Sequence, residues 1–238
     1  MSREAGKDLF RVQQTMKPEE KSNYPPEYES GELNREIQKA AEPAAVYGKQ
    51  RYSYADYLSW TDDKMRELID GIAYAFSAPF RKHAHACSVF MVKIGSFITR
   101  RKGKCKIYTA PFDVRLPMDG EASDNKIYNV VQPDICVICD PSKLDERGCI
   151  GAPDLVVEVI SPSTCKKDIT LKFNLYEKSG VKEYWIVYPN DKAVTVFLLQ
   201  PEGNYDEGTT YELINGANKV PVLTLEGLVI DLEELFDD

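Results

Sequence analysis

Two carboxylates interrupt apolar segments of the chain, at positions where a buried charge requires a partner. Asp134 stands at the start of the apolar run 135–139, and Glu158 lies inside the run 155–160. A carboxylate inside a buried strand is costly unless it is paired, protonated or bound to a metal ion. On neighbouring strands the two would supply the hard oxygen ligands that Mg²⁺ prefers. The competing interpretation is that Asp134 caps a turn and Glu158 pairs with a lysine.

A lysine follows this pair on a predicted helix. Residues 161–164 turn the chain out of the strand, and the helix after them carries Lys172. Lys172 lies one turn beyond Asp168, on the same side of that helix. An ammonium aimed back at the carboxylates would orient an attacking water or neutralise a pentacovalent phosphate. The alternative is a surface lysine on an amphipathic helix.

Other polar residues are candidates for supporting roles. Asp154 rivals Asp134, because it lies four residues before Glu158 and therefore on the same face of the strand. Glu67 and Asp113 are placed where they could reach a metal or support its ligands.

A long amphipathic helix is predicted over residues 81–102, where apolar residues recur with a period of 3.6, and Gly103 would end it. His83 and His85 open this helix. His85 is a candidate for contact with the site, and a surface or capping histidine is the alternative.

Charge is distributed unevenly along the chain. The net charge is −8, but residues 201–238 alone carry ten acidic side chains against one lysine, which leaves +1 for the rest. No acidic residue lies between Asp70 and Asp113, and eight basic ones do: Arg81, Lys82, Lys93, Arg100, Arg101, Lys102, Lys104 and Lys106. Such an excess could attract phosphates. A solvated helix face is the alternative.

The elements that would position these residues alternate between strands and helices. An Asp70-Gly71 turn predicts a β-hairpin over residues 66–76. The following strands are predicted at 105–109, 112–116, 127–131, 135–139, 155–160, 183–188, 193–199 and 209–214, with a helix over 167–178. The central order is helix, three strands, helix, strand. This order predicts the α/β class, with a mixed central β-sheet flanked by helices.

The domain organisation follows from composition. Residues 1–45 are polar and proline-broken, which predicts an arm, and residues 46–238 form the domain. No apolar run approaches the roughly 20 residues that span a bilayer, so we expect a cytoplasmic protein without a membrane partner. Its six cysteines are then expected to be reduced. Cys136 and Cys139 have zinc-like spacing, but buried strand cysteines are the preferred interpretation.

Several segments together resemble a known family. They are QPDICVICD, GAPDLVVEVISPST and DITLKFNLYEKSGVKEYWIV, supported by RELIDGIAY and APFDVRL. Over about residues 52–199 the chain resembles the Uma-two family, a domain of unknown function placed in the PD-(D/E)XK nuclease superfamily. The resemblance implies a restriction-endonuclease-like αβββαβ core, here with added β-hairpins.

The resemblance also implies an activity and its residues. Asp134 and Glu158 take the places of the superfamily's two metal-binding carboxylates. Ile160 stands where the superfamily has its usual lysine, so Lys172 becomes the candidate for that role. The implied function is a Mg²⁺- or Mn²⁺-dependent endonuclease acting on nucleic acid, with DNA as the expected substrate, and a homodimer. A non-catalytic nucleic-acid-binding or regulatory protein that retains the fold is the alternative.

Overall fold

The structure is a computed structural model that describes residues 51–75, 80–118, 120–160, 167–215 and 218–237, without the side chains of 167–169 and 215. The predicted arm of residues 1–45 lies outside the described residues, as does the turn predicted at 161–164.

The described α-helices are α1 (Tyr54–Leu58), α2 (Arg81–Arg101), α3 (Phe173–Ser179) and α4 (Leu232–Leu235), and a π-helical segment, Lys167–Lys172, leads into α3. Helix α1 begins at a capping box. Ser53 accepts a hydrogen bond from the Asp56 N–H, and the Asp56 carboxylate accepts one from the Ser53 N–H. Helix α2 ends one residue earlier than predicted, because Lys102 rather than Gly103 takes the left-handed conformation, with φ 50°.

The strands are β1 (Arg66–Ile69), β2 (Ile72–Ala75), β3 (Lys106–Thr109), β4 (Val114–Arg115), β5 (Val130–Val131), β6 (Ile135–Ile138), β7 (Leu144–Asp145), β8 (Gly148–Ile150), β9 (Leu155–Val159), β10 (Glu183–Tyr188), β11 (Ala193–Leu198), β12 (Thr209–Glu212), β13 (Lys219–Val222) and β14 (Leu228–Asp231). The hairpin β1–β2 has the predicted turn, since Asp70 and Gly71 both have positive φ, 51° and 78°.

The strands form two six-stranded sheets where the sequence predicted one central sheet. One sheet has the order β2-β1-β5-β4-β8-β7, and the other has the order β12-β11-β10-β9-β6-β3. The second sheet arises because β4, β5, β7 and β8, inserted between β3, β6 and β9, join the N-terminal hairpin. The αβββαβ order is confirmed, as α2, β3, β6, β9, α3 and β10, within a mixed α/β fold.

Strand β9 occupies the centre of this core. It pairs parallel with β10 and antiparallel with β6, and all five of its residues are buried. Helix α2 covers one face of the sheet with a buried stripe that includes Phe90 and Ile94, and Phe90 packs edge-on against Trp185 at 5.9 Å.

The acidic C-terminal segment is part of the core. The hairpin β13–β14 and α4 contribute buried apolar residues, among them Val220, Ile230 and Leu232, to the cluster that contains the α2 stripe. Glu234 forms an ion pair with Lys93 on α2. Across the described part of the chain, no helix has the length and apolarity needed to cross a membrane.

Candidate active site

Asp134 and Glu158 belong to neighbouring antiparallel strands. The register of β6 and β9 sets Ile135 against Val157, so the next residues outward are Asp134 and Glu158. Glu158 is 2 % exposed, and Asp134, which precedes β6, is half-buried. The fold therefore brings the two predicted metal ligands to one end of the central strand pair.

The Glu158 carboxylate receives two donors from one helical segment. Lys172 Nζ and Tyr176 OH each lie 2.7 Å from Oε1 of Glu158. The two donors are four residues apart and so share a side of their helix. Burial, and after it the negative charge of Glu158, raises the pKa of Tyr176 well above its usual value. Its hydroxyl therefore remains a hydrogen-bond donor.

Lys172 also contacts a third carboxylate, which belongs to the other six-stranded sheet. Its ammonium lies 2.9 Å from Oε1 of Glu67 in β1, and the Gln132 N–H donates to the same oxygen at 2.9 Å. The side chains of Lys172, Glu67 and Glu158 are all 4 % exposed or less. Both interpretations of the sequence coincide here, since Glu158 pairs with a lysine and that lysine is Lys172.

Asp134 has partners of its own. Its Oδ2 accepts the Val159 N–H at 2.7 Å and lies 3.1 Å from Nε2 of His83. Nδ1 of His83 lies 3.6 Å from Sγ of Cys87. Burial, followed by the charges of Asp134 and Glu158, raises the pKa of the Cys87 thiol. One ligand atom from each of His83, Cys87 and Asp134 lies within 4.8 Å of the other two.

The histidine that reaches the site is His83 rather than His85. His83 and Cys87 are four residues apart and share one side of α2, whereas His85 is rotated by about 200° from His83. Nε2 of His85 is buried and has no hydrogen-bond partner among the described residues. The four-residue spacing of histidine and cysteine was the signal that sequence reasoning missed.

The cluster contains three carboxylates, those of Glu67, Asp134 and Glu158, together with the ammonium of Lys172. Carboxylate oxygens are the ligands that Mg²⁺ and Mn²⁺ prefer. The donor set therefore fits the metal that the resemblance implies.

The sequence profile of the Uma2 family, described as "Putative restriction endonuclease", matches residues 54–233. The chain belongs to the Uma2 family. A Synechocystis sp. protein, "Uncharacterized protein slr1290", is 27 % identical over 171 residues, which cover 70 % of this chain and 83 % of that protein. The crystal structure of "a putative nuclease belonging to DUF820" from Anabaena variabilis has a TM-score of 0.61 at 21 % identity, over 78 % of this chain and 97 % of that one. The nuclease-like fold is thereby confirmed.

Ile160 departs from the PD-(D/E)XK pattern that the resemblance implied for this Uma2 chain. Ile160, two residues after Glu158, is 8 % exposed and apolar. It cannot supply the ammonium that the superfamily usually places there. In this structure the ammonium beside Glu158 belongs to Lys172.

Asp154 does not join the cluster. It lies toward the opposite end of β9 from Glu158, about 13 Å away at a strand rise of about 3.3 Å per residue. Its carboxylate accepts hydrogen bonds from Lys182 Nζ and from the Cys139 N–H, both at 2.7 Å. Burial acts to raise the pKa of Asp154, but these hydrogen bonds outweigh it and lower the pKa. A shared strand face was too weak a criterion to make Asp154 a rival of Asp134.

Asp113 supports the site indirectly, through Gln132. Its carboxylate accepts hydrogen bonds from Tyr54 OH and Tyr57 OH, each at 3.2 Å, and from Gln132 Nε2 at 2.9 Å. The backbone N–H of Gln132 is the group that donates to Glu67. Asp113 therefore positions Gln132, which in turn donates a hydrogen bond to Glu67.

Cys105 and Cys139 form a disulfide, where the sequence predicted reduced thiols. The register of β3 and β6 sets Lys106 against Ile138, and this places the two cysteines opposite each other. Cys136 is a buried free cysteine, as the preferred interpretation had it. Because Cys139 is already bonded, the two do not form a zinc-binding pair.

The basic residues of α2 do not form one surface at the site. His83 marks the site end of the helix, and Arg100 lies about 25 Å further along at 1.5 Å per residue. Lys102 and Lys104 follow Arg100. Lys93 is paired with Glu234. The length of the helix therefore separates Arg100, Lys102 and Lys104 from the site, and Lys82 is exposed at the site end.

Proposed function

We propose that the protein is a Mg²⁺- or Mn²⁺-dependent nuclease that hydrolyses phosphodiester bonds in DNA. The observation that supports this proposal is that two buried carboxylates, Glu67 and Glu158, share a single buried lysine, Lys172, beside the carboxylate of Asp134. A desolvated cluster of this kind is typical of a functional site. Membership of the Uma2 family favours nucleic acid as the substrate.

Asp134 and Glu158, together with the main-chain carbonyl of Val159, would hold the cation. When bound, the cation polarises the scissile phosphate and lowers the pKa of the attacking water. His83 and the Val159 N–H both bind Oδ2 of Asp134. They orient this carboxylate in advance, as outer hydrogen-bond partners commonly do for metal ligands.

Lys172 would supply positive charge where the transition state is most negative. Its ammonium contacts Glu158 and therefore lies beside the proposed metal ligands. Glu67 contacts the same ammonium from the other sheet. We assign Glu67 as a positioning residue, because it holds Lys172.

A homodimer is proposed on the same grounds. Cutting both antiparallel strands of a duplex requires two sites related by a two-fold axis. Sedimentation of the full-length chain at micromolar concentration is expected to give twice the mass of the 27.0 kDa chain.

The test is a cleavage assay on duplex DNA with Mg²⁺ or Mn²⁺. Asp134→Ala is expected to lower the rate by about 10²-fold or more, in the range of losing one strong transition-state interaction, and a chelator should abolish cleavage. Asp154→Asn is the matched control, since Asp154 is a buried carboxylate on the same strand pair but outside the cluster. Equal loss in both variants would contradict the site assignment.

The second candidate is a non-catalytic DNA-binding protein that retains the fold. Ile160 favours it, because the lysine of the superfamily motif is absent from its usual position. This candidate predicts metal-independent binding of duplex DNA without cleavage in the unaltered protein.

A further inference from the structure

Cys87 has no part in the proposed hydrolysis, although it lies beside the carboxylate on which the hydrolysis depends. It is joined to Asp134 through His83, by contacts of 3.6 Å and 3.1 Å. The His83 and Asp134 side chains are 13 % and 18 % exposed. The three groups are therefore largely buried, but solvent can reach them.

We propose that His83, Cys87 and Asp134 form a second metal site, selective for Zn²⁺ and similar thiolate-binding transition metals, which competes with Mg²⁺ for Asp134. Only the competition rests on the proposed nuclease function. The metal site itself rests on the geometry of the three side chains.

The distances suit a transition metal. Zinc lies about 2.0 Å from a histidine nitrogen and about 2.3 Å from a thiolate, so adjacent ligands of a tetrahedron are about 3.5 Å apart. Cys87 Sγ already lies 3.6 Å from His83 Nδ1. One cation can bind only one of the two ring nitrogens of His83. Cys87 and Asp134 contact different ring nitrogens, so one of these two ligands must move toward the cation. The three ligand atoms lie within 4.8 Å of one another, so closing to about 3.5 Å requires a movement of at most about 1.3 Å.

The ligand types decide the selectivity. Imidazole and thiolate favour zinc and related metals, whereas Mg²⁺ requires oxygen ligands in an octahedral arrangement. With Cys87 as thiolate and His83 neutral, the three side chains carry a charge of −2, which matches one divalent cation. Three protein ligands leave a fourth position for water.

The two sites share one residue, Asp134, and so compete for it. Glu158 binds Lys172 and Tyr176, whereas Asp134 binds His83 of α2. A cation held by His83 and Cys87 would engage the Asp134 carboxylate that Mg²⁺ also needs. Zinc is therefore expected to inhibit the nuclease by displacement.

The experiment uses Co²⁺ as a spectroscopic substitute for Zn²⁺ on the full-length protein, under argon and without added reductant. The unaltered protein should develop the near-ultraviolet thiolate-to-cobalt band, and Zn²⁺ should remove it. Cys87→Ser should abolish the band, and Cys149→Ser, which alters another buried free cysteine, should retain it. His83→Gln should weaken Co²⁺ binding by about tenfold or more.

Two results would overturn the metal site: no band in the unaltered protein, or a band that persists in Cys87→Ser. Circular dichroism identifies a variant that has not folded, and His83→Gln then provides the second comparison.

The competition is tested by the rate of Mg²⁺-dependent DNA cleavage. For each protein, the rate with Zn²⁺ is divided by the rate of the same protein without Zn²⁺. Zinc should inhibit the unaltered protein at concentrations that spare Cys87→Ser, and equal inhibition would refute the competition. A protein that shows the band but never cleaves DNA would refute the nuclease function alone.

Discussion

Lys172 contacts both Glu67 and Glu158, and at 3 % exposure it is almost completely removed from water. A buried ion pair is costly to form, but removal of one partner costs more, because the other charge is left without compensation. Lys172 has two such partners. Replacement of Lys172 should therefore change the free energy of unfolding measurably, as well as the proposed activity.

Lys172→Met is expected to lower the free energy of unfolding by about 3–5 kcal/mol, the range for breaking a buried ion pair. The double variant Lys172→Met/Glu67→Gln should recover part of this loss, because it also removes the charge of one of the two carboxylates that contact Lys172. Chemical denaturation of the unaltered protein and of the two variants measures both effects.

The pH dependence of the stability loss in Lys172→Met tests whether the charges of Glu67 and Glu158 cause it. In Lys172→Met, protonation of Glu67 or Glu158 relieves the repulsion between them, so the loss of stability should shrink as the pH falls. A loss that is the same at pH 5 and pH 8 would indicate a packing defect instead.

At the scale of elements, the C-terminal hairpin and α4 contribute through apolar packing. Ile230 and Leu232 are both 0 % exposed, whereas the side chain of Glu234 is 52 % exposed. Glu233 and Glu234 are exposed, whereas Ile230 and Leu232 lie in the cluster that contains the buried stripe of α2. The segment therefore cannot act as a detachable acidic tail.

Ile230→Ala is expected to lower the free energy of unfolding by about 2–5 kcal/mol, the range for truncating a buried aliphatic side chain. Glu234→Gln, which removes only the exposed ion pair with Lys93, should cost less than about 1 kcal/mol. Denaturation midpoints of the two variants give the comparison. A larger effect from Glu234→Gln would mean that charge, rather than burial, holds this segment.

At the scale of the whole molecule, the site lies where the two large sheets approach each other. Lys172 joins Glu158 of one sheet to Glu67 of the other. The basic residues of α2 are spread along a helix of 21 residues, so only those in its first turns lie near this junction. The position of a charge along α2 should decide whether it contacts DNA.

Lys82→Gln is expected to reduce the salt dependence of DNA binding by about 0.9 in log–log slope, the value for one phosphate contact. Lys104→Gln, at the other end of the helix, should leave the slope unchanged. Fluorescence anisotropy with a labelled duplex, in an Asp134→Ala background to prevent cleavage, measures both slopes. Equal changes in the two variants would show that charge acts without regard to position.

The sequence by itself determined the core elements and the main members of the site. Residues 155–160 form an apolar, β-branched run that can only be accommodated as a buried strand, and Glu158 is conspicuous because it interrupts that run. Asp70-Gly71 specified its hairpin because the turn needs two positive φ angles. Lys172 was found through its place on the following helix and through the family resemblance.

Only the tertiary structure decided which polar groups meet. Strand register places Cys105 opposite Cys139, and the separate pairing of the inserted strands places Glu67 on Lys172. The contact of His83 with Asp134 depends on how α2 lies across the sheet. Local propensities act over a few residues, whereas these contacts join residues 34 to 105 positions apart along the chain. Their distances are set by the packing of whole elements, which no local pattern in the sequence contains.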